Sequence, residues 1–263
     1  LPRLKIFTTN YDTLIEETLD QLGITYFDGF LGTVKRQFRS ESYHFDLYFP
    51  GETTEGRINR VDRVAHLYKL HGSITWRRAG NQILMDMTTP KDDAGFANVM
   101  IYPSPLKTGE MNGYPYSEMF RHFVYQIRQP QSILFTLGYS LADDHINWLI
   151  YQALDIPSFT LVIILPDIGE EDDQNRNAEV WRLIELNRRR IIVITGGEWD
   201  ENAKEYSGGA GTLQGFVKDY LPDMEEIKVE LKAKEEAEKM LQRITKNPLD
   251  SETPDTTEMN KDE

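Results

Sequence analysis

The 263-residue chain contains no cysteine. This absence excludes disulfide bonds, thiolate catalysis and every zinc site that is built on cysteine ligands. The sequence also has no stretch that approaches the roughly 18 consecutive apolar residues of a membrane-spanning helix. Its first residues lack the basic-then-apolar pattern of a signal peptide. We therefore expect a cytoplasmic protein that does not act in a membrane.

Positive charge is scarce, because 29 Lys and Arg stand against 43 Asp and Glu, a formal net charge of −14. Such a chain repels nucleic acid unless its basic residues are concentrated in one place. The short basic clusters lie at 34–39, 76–78 and 187–190. The last of them follows a helical pattern, where cations suit the helix C-terminus. Direct binding to nucleic acid is not expected.

What the sequence does contain is a regular alternation of apolar runs and helical patterns. Hydrophobic residues make up 40% of the chain, which suits a protein with a packed core. Runs typical of strands buried on both faces of a parallel sheet lie at 4–9, 132–139, 159–165 and 191–195. Stripes with helical spacing lie at 14–22, 146–154 and 178–188. The alternation predicts an α/β fold with a doubly wound, Rossmann-like parallel sheet.

Two segments and the C-terminal end do not follow this alternation. Residues 25–62 and 80–115 are predicted to be irregular or β-rich lobes inserted into a domain that spans 1–222. A charged helix is predicted over 223–245, and a disordered acidic tail over 246–263. The apolar stripe of this helix consists of Ala233, Ala237, Met240, Leu241 and Ile244.

Three short stretches lie where strands of the predicted sheet end, which is where open parallel sheets bind ligands. They are TTNYD (8–12), LHGS (70–73) and GYSLADDHI (138–146). Each alone has a structural interpretation. Either Asn10 or Asp12 can cap the following helix, and His71 can be a turn histidine. Ser140, at the start of the next helix, forms a capping-box pattern with the acidic residue three positions later. Their occurrence at three strand ends of one sheet favours a ligand site.

In this order, the three stretches resemble the sirtuin-like NAD-consuming domains, especially the bacterial branch found in antiphage defence systems. The resemblance covers about residues 4–200. It implies an NAD⁺ hydrolase, with NAD as its substrate, that releases nicotinamide and ADP-ribose and depletes NAD in an antiphage response. The alternatives are an NAD-dependent protein deacylase or ADP-ribosyltransferase, and a non-catalytic dinucleotide-binding scaffold of a defence complex.

The resemblance also assigns roles to residues. Asn10 would order the nicotinamide ribose and a water molecule, and His71 would be the general base. Asp12 would face the nicotinamide carboxamide. The implied dinucleotide contacts are Thr8, Thr9, Tyr11, Asp12, Gly72, Gly138, Tyr139, Ser140 and Asp144. These roles agree with the chemistry, because a neutral histidine accepts a proton near neutral pH and nicotinamide leaves without a general acid.

Some features of sirtuins have no counterpart in the sequence. The four-cysteine zinc module of protein deacylases is missing, so we expect no zinc and no metal site, and deacylation is disfavoured. Thr9 stands where sirtuins usually have Gln. The Gly-rich phosphate loop and the first strand of the family are expected to precede Leu1.

Partners follow from the resemblance and from the predicted C-terminal helix. A homo-oligomer is expected, with a HerA-type DNA-translocating ATPase or another defence-system protein as a further partner. The apolar stripe of the helix would dock on a neighbouring surface, or the helix would fold back on its own sheet.

Overall fold

The computed structural model describes residues 2–50, 58–86, 97–100, 113–169, 178–186, 189–203, 205–221, 229, 233, 237 and 240. The chain forms two compact units. The first comprises Leu1–Ile133 and Trp148–Phe159, and the second comprises Leu134–Asn147 and Thr160–Glu263.

The described part contains fifteen strands, five α-helices and one 3₁₀ helix. The elements of the first half are β1 (Leu4–Thr8), α1 (Leu14–Gln21), β2 (Thr25–Phe27), β3 (Phe30–Leu31), β4 (Gln37–Phe38), a 3₁₀ helix (Ser40–His44), β5 (Tyr48–Pro50), β6 (Ile58–Arg60), β7 (Val64–Lys69), β8 (Gly72–Ala79), β9 (Gln82–Met85), β10 (Ala97–Met100) and α2 (Tyr116–Ile127). The elements that follow are β11 (Ile133–Leu137), α3 (Asp144–Leu154), β12 (Thr160–Ile164), α4 (Ala178–Glu185), β13 (Ile191–Ile194), β14 (Glu198–Asp200), β15 (Glu205–Ser207) and α5 (Leu213–Tyr220).

The first unit contains a three-stranded parallel sheet in the order β1-β7-β2. All six residues of β7 are buried, because this strand is hydrogen-bonded on both edges and covered on both faces. Thr8 pairs with Lys69 at the end of the β1–β7 ladder. The strands run in the same direction, so the loops that leave β1 and β7 emerge at the same edge of the sheet.

The first unit also contains a five-stranded antiparallel sheet in the order β10-β8-β9-β4-β3. Its core is aromatic: the ring centroid of Trp76 lies 5.1 Å from that of Phe30 and 5.8 Å from that of Phe38. Such rings bury large apolar areas and account for much of the stability of a small sheet. Most of these strands come from the two segments predicted to be β-rich lobes. The exception is β8, which lies between the two segments. Strand β2 lies in the 25–62 segment but joins the parallel sheet.

The second unit is built on a three-stranded sheet in the order β11-β12-β13. Strands β12 and β13 are parallel, and Val162 pairs with Ile192 in their register. The buried side chains of Val162, Ile164 and Phe216 form a cluster against which Ile194 packs. The short hairpin β14–β15 and helix α5 follow β13.

These observations confirm the α/β class. The parallel strands of the described part lie in two three-stranded sheets, and a single doubly wound sheet stays a prediction. Residues 229, 233, 237 and 240 are helical, whereas the rest of the predicted 223–245 helix and the 246–263 tail lie outside the described residues. So do 87–96 and 101–112 of the second predicted lobe. None of the helices seen in the described ranges is long and apolar enough to cross a membrane.

Candidate functional site

The loop after β1, residues 9–13, contains the predicted catalytic Asn10. We call it the Asn10 loop. The backbone turns directly after β1, where the Asn10 N–H donates a hydrogen bond to Oγ1 of the buried Thr8, 3.0 Å away. Asp12 Oδ1 accepts the N–H of Leu14, the first residue of α1, at 3.1 Å. The side chain of Asp12 therefore satisfies the first N–H of α1, whereas Thr13 at the N-cap position makes no capping bond with its side chain. Asp12 is only partly exposed.

Asn10 has a different environment. Its side chain is exposed, and no residue in the described part of the chain hydrogen-bonds to its amide. Tyr11 beside it is also exposed, and Thr9 is half-buried. The capping interpretation thus holds for Asp12 and not for Asn10, whose amide faces solvent at the edge of the sheet.

The turn from β7 to β8 carries the predicted base, His71. The N–H of Leu70 donates to the Thr8 carbonyl oxygen at 2.8 Å, which extends the β1–β7 ladder up to the residue before His71. His71 is buried. Gly72 has φ of +82°, and a Cβ at this position would overlap the carbonyl oxygen of Val99 in β10. Gly72 therefore has a packing role, which brings β10 against the turn.

The third predicted stretch leaves β11 in the second unit. Gly138 has φ of +62°, and the space that a Cβ would take is open. The hydroxyl of the half-buried Tyr139 donates to Asn147 Oδ1 at 3.1 Å, and Asn147 Nδ2 donates to the Leu141 carbonyl at 2.5 Å. Burial raises the pKa of the Tyr139 hydroxyl well above its usual range, with the nearby Asp143 carboxylate adding to the shift. Tyr139 therefore stays protonated and remains a hydrogen-bond donor.

The start of α3 corrects the sequence analysis. The prediction that Ser140 opens this helix is wrong, because α3 begins at Asp144. Asp143 Oδ1 accepts the N–H groups of His145 and Ile146, at 3.1 and 3.3 Å. The cap is thus Asp143 rather than a capping box with Ser140. The physical reason is Leu141, whose φ of +55° takes the backbone out of the helical path. Ser140 and Asp144 are both exposed.

A comparison with known families identifies the family of the chain. The sequence profile of the SIR2-like domain matches residues 4–191, which include all three stretches. The chain belongs to the SIR2-like family. No curated protein matches the chain significantly. SIR2-like domains have a Rossmann-like fold and are generally NAD-dependent enzymes, so the family supports an activity that involves NAD. The sirtuin-like resemblance predicted from the three stretches is thereby confirmed.

The SIR2-like chain has a further cleft that the sequence analysis missed. It lies in the second unit, beyond the carboxyl ends of β12 and β13, and has a volume of about 750 Å³. We call it the second-unit cleft. Its lining residues are Pro166, Asp167, Ile168, Thr195, Gly196, Gly197, Trp199, Glu201 and Tyr206. The signal was present in the sequence, because Pro-Asp follows one apolar run and Thr-Gly-Gly follows another.

Hydrogen bonds and an aromatic pair order the walls of this cleft. Asp167 Oδ2 accepts the hydroxyl of Tyr206 at 3.0 Å, and Asp167 Oδ1 accepts the N–H of Gly169 at 2.8 Å. The rings of Trp199 and Tyr206 meet edge to face, 5.0 Å apart. The cleft therefore offers a fixed carboxylate and a partly exposed indole. In the described part of the chain, no cluster of three or more His, Asp or Glu residues is placed to hold a metal ion.

Proposed function

We propose that this SIR2-like chain is an NAD⁺ hydrolase, which cleaves the bond between nicotinamide and ribose. The observation that carries the proposal is the position of Asn10 and His71. Each lies two residues beyond the end of one of two adjacent parallel strands, so both loops lie at one edge of the sheet. This edge is where ligands of parallel sheets bind. The exposed amide of Asn10 is engaged with no described residue and can bind a substrate.

The proposed reaction fits these two side chains. The bond from C1′ of the ribose to the pyridinium nitrogen breaks, and nicotinamide leaves as a neutral molecule because the ring nitrogen takes the bonding electrons. The sugar passes through an oxocarbenium-like transition state. The oxygen of water forms the new bond to C1′, and its proton passes to His71 and then to solvent. The products are nicotinamide, ADP-ribose and one proton.

The other residues have binding roles in this proposal. Asn10 orients the water and the ribose through its amide without adding charge, and Asp12 faces the nicotinamide carboxamide. The further contacts proposed for the dinucleotide are Thr8, Thr9, Tyr11, Gly72, Gly138, Tyr139, Ser140 and Asp144.

We also propose that the second-unit cleft binds a nucleotide. Its position at strand carboxyl ends and its volume of about 750 Å³ suit a nucleotide. The partly exposed Trp199 provides an aromatic surface on which a base can stack. Calorimetric titration with ADP-ribose tests this. Trp199→Ala should weaken binding, whereas Tyr125→Ala, which removes another exposed aromatic side chain on α2, should not. Equal affinities for both variants would exclude a role for the indole.

Product analysis distinguishes the candidate activities. The protein is incubated with NAD⁺, and the products are separated by chromatography. Free ADP-ribose with nicotinamide supports the hydrolase. Acyl-ADP-ribose, or protein that carries ADP-ribose, would show a deacylase or a transferase, and unchanged NAD⁺ would favour a non-catalytic scaffold.

Two histidine variants sharpen this assay. His71→Ala should lower nicotinamide release by roughly 10²–10⁴-fold, the usual effect of losing a general base. The matched control is His145→Ala, on the first turn of α3, which should retain the wild-type rate. A His71→Ala rate near that of the wild type would show that another group accepts the proton.

The biological role that we propose is that of an antiphage effector that depletes NAD. Cellular NAD should fall after phage infection in a host that carries the intact protein and stay constant with His71→Ala. A constant NAD level in both strains would contradict the proposed role in the antiphage response.

A further inference from the structure

Lys69 and Ser73, each two positions from His71, both contact the Asn10 loop. Ser73 Oγ lies 3.3 Å from the carbonyl oxygen of Tyr11, and the ammonium group of Lys69 donates to the carbonyl oxygen of Asp12. The N–H of Ile74 also donates to the Tyr11 carbonyl, at 2.9 Å. Side chains on both sides of the predicted base therefore fix the backbone that carries Asn10.

Lys69 is an unusual residue for its position. It lies on the central strand of the parallel sheet and is only 2% exposed. Its charge is balanced by Glu16 on α1, with 2.7 Å between Lys69 Nζ and Glu16 Oε1. A buried ion pair gives little net stability, since both charges must lose their hydration. An apolar side chain would fill this place equally well for folding. What the ammonium adds is a fixed donor to the Asn10 loop.

We propose that Lys69 is a positioning residue, which together with Ser73 holds the Asn10 loop in register with His71. Glu16 is the counter-charge that lets the ammonium stay buried. This inference rests on the proposed function, because the purpose of the register is to keep the Asn10 amide and the His71 imidazole in place for one reaction. A shift of about 1 Å at such a site can reduce turnover roughly 10²-fold.

The test uses a double variant, Lys69→Met with Glu16→Met. It removes both charges and leaves neither buried alone, so its thermal stability should equal or exceed that of the wild type. Turnover of NAD⁺ should nevertheless fall by about 10²-fold, with a smaller change in KM. The matched control is Lys5→Met on the neighbouring strand β1. Among the described residues, Lys5 Nζ hydrogen-bonds to the Arg3 carbonyl oxygen alone, 3.3 Å away, so turnover should stay unchanged.

Hydrogen exchange provides a readout that does not depend on activity. The backbone N–H groups of Asn10 and Leu14 donate hydrogen bonds within the segment that Lys69 holds. Their exchange should become faster in the double variant, while the amides of β7 exchange as in the wild type. Unchanged exchange in this segment, or unchanged turnover in an active enzyme, would overturn the inference. If the wild-type protein releases no nicotinamide, the proposed function fails, and the exchange data alone decide whether Lys69 holds the loop.

Discussion

Asn10 and Asp12 are two residues apart, and the hydrogen bonds of their loop give them different tasks. The carboxylate of Asp12 is bound to the N–H of Leu14 and starts α1. The amide of Asn10 has no such bond among the described residues and is exposed. A residue that does no structural work at a strand end is the better candidate for contact with substrate. Substitution of Asp12 should therefore lower stability, whereas substitution of Asn10 should lower activity alone.

This difference gives the first prediction. Asn10→Ala should lower nicotinamide release by roughly 10²-fold, as for the loss of one positioned hydrogen-bonding group, and leave the melting temperature unchanged. Asp12→Ala should reduce the stability by about 1 kcal/mol, the usual effect of losing a helix cap. Asp12→Asn is the control, since Asn is an equally good cap. The measurements are thermal melting and product release on the same samples. A drop in melting temperature for Asn10→Ala with activity intact would reverse the assignment.

A second residue-scale prediction concerns His122, whose ring lies among those of Tyr43, His44 and Tyr68 at centroid distances of 5.1 to 5.6 Å. Burial, aided by His44, lowers the pKa of His122 below its usual value. Above about pH 6.5 the folded and unfolded chains both hold it neutral, so it contributes no pH dependence. As the pH falls below this value, the unfolded chain binds a proton more readily than the folded one, and the free energy of unfolding decreases.

The measurement is the melting temperature at about pH 7.5 and about pH 5.5, on either side of the ordinary histidine pKa. The wild type should lose stability between the two, and His122→Phe should lose less. His145→Ala is the control and should retain the wild-type drop. An identical drop in His122→Phe would show that other groups cause it.

At the scale of elements, local patterns predicted the strands well because burial acts on short runs. The apolar runs at 4–9 and 159–165 correspond to β1 and β12, which end within one residue of the predicted limits. The start of α3 was missed because the four-residue capping-box pattern does not include the contact that delays the helix. Asn147 binds the Leu141 carbonyl six residues upstream, and Leu141 has the positive φ that delays the helix.

The limits of prediction at the site have the same origin. Asn10 and His71 could be predicted to share one edge because each lies two residues beyond a strand end, and parallel strands end at the same edge. Their roles stay a prediction. The β2 strand was assigned to an insertion, since its place is set by pairing with β7, far along the chain. For the second-unit cleft, the sequence indicated the two strand ends, but the β14–β15 hairpin that carries Trp199 and Tyr206 gives no periodic signal.

The loop that joins β11 to α3 provides an element-scale prediction. Gly138 and Gly80 have nearly the same φ, +62° and +58°, and both have open space at the Cβ position. Substitution of either glycine by Ala should therefore lower the free energy of unfolding by roughly 1–2 kcal/mol, because the positive φ strains an L-residue. If the open space at Gly138 is where the dinucleotide lies, Gly138→Ala should also lower kcat/KM for NAD⁺ by roughly 10–200-fold.

Gly80 is the matched control, because it lies in the β8–β9 turn and has no proposed ligand contact. Its Ala variant should keep the wild-type kcat/KM when assayed at a temperature where both variants are folded. Equal kinetics for the two variants would remove Gly138 from the dinucleotide contacts and leave it a turn glycine.

At the scale of the whole molecule, the proposed NAD⁺ hydrolase activity would have to be restrained in its own cell. Assembly is one means, and the helical residues near the C-terminal end offer a surface for it. Val229, Ala233, Ala237 and Met240 follow each other at helical spacing, and all four are exposed. Exposed apolar residues on one side of a helix are typical of a surface that binds another chain. We propose that these four side chains, which we call the exposed stripe, contact a second copy of the protein.

The corresponding prediction uses Val229→Glu together with Met240→Glu. Both side chains are 67% exposed, so the substitutions should not disturb the fold of the protomer. In an interface they would bury carboxylates without partners, which is costly, and the mass measured by light scattering should therefore decrease while the melting temperature stays constant. Val34→Glu, which removes another exposed apolar side chain, is the control and should leave the mass unchanged. An unchanged mass in the double variant would exclude the exposed stripe from the interface, and a lower melting temperature at unchanged mass would place the helix against its own domain.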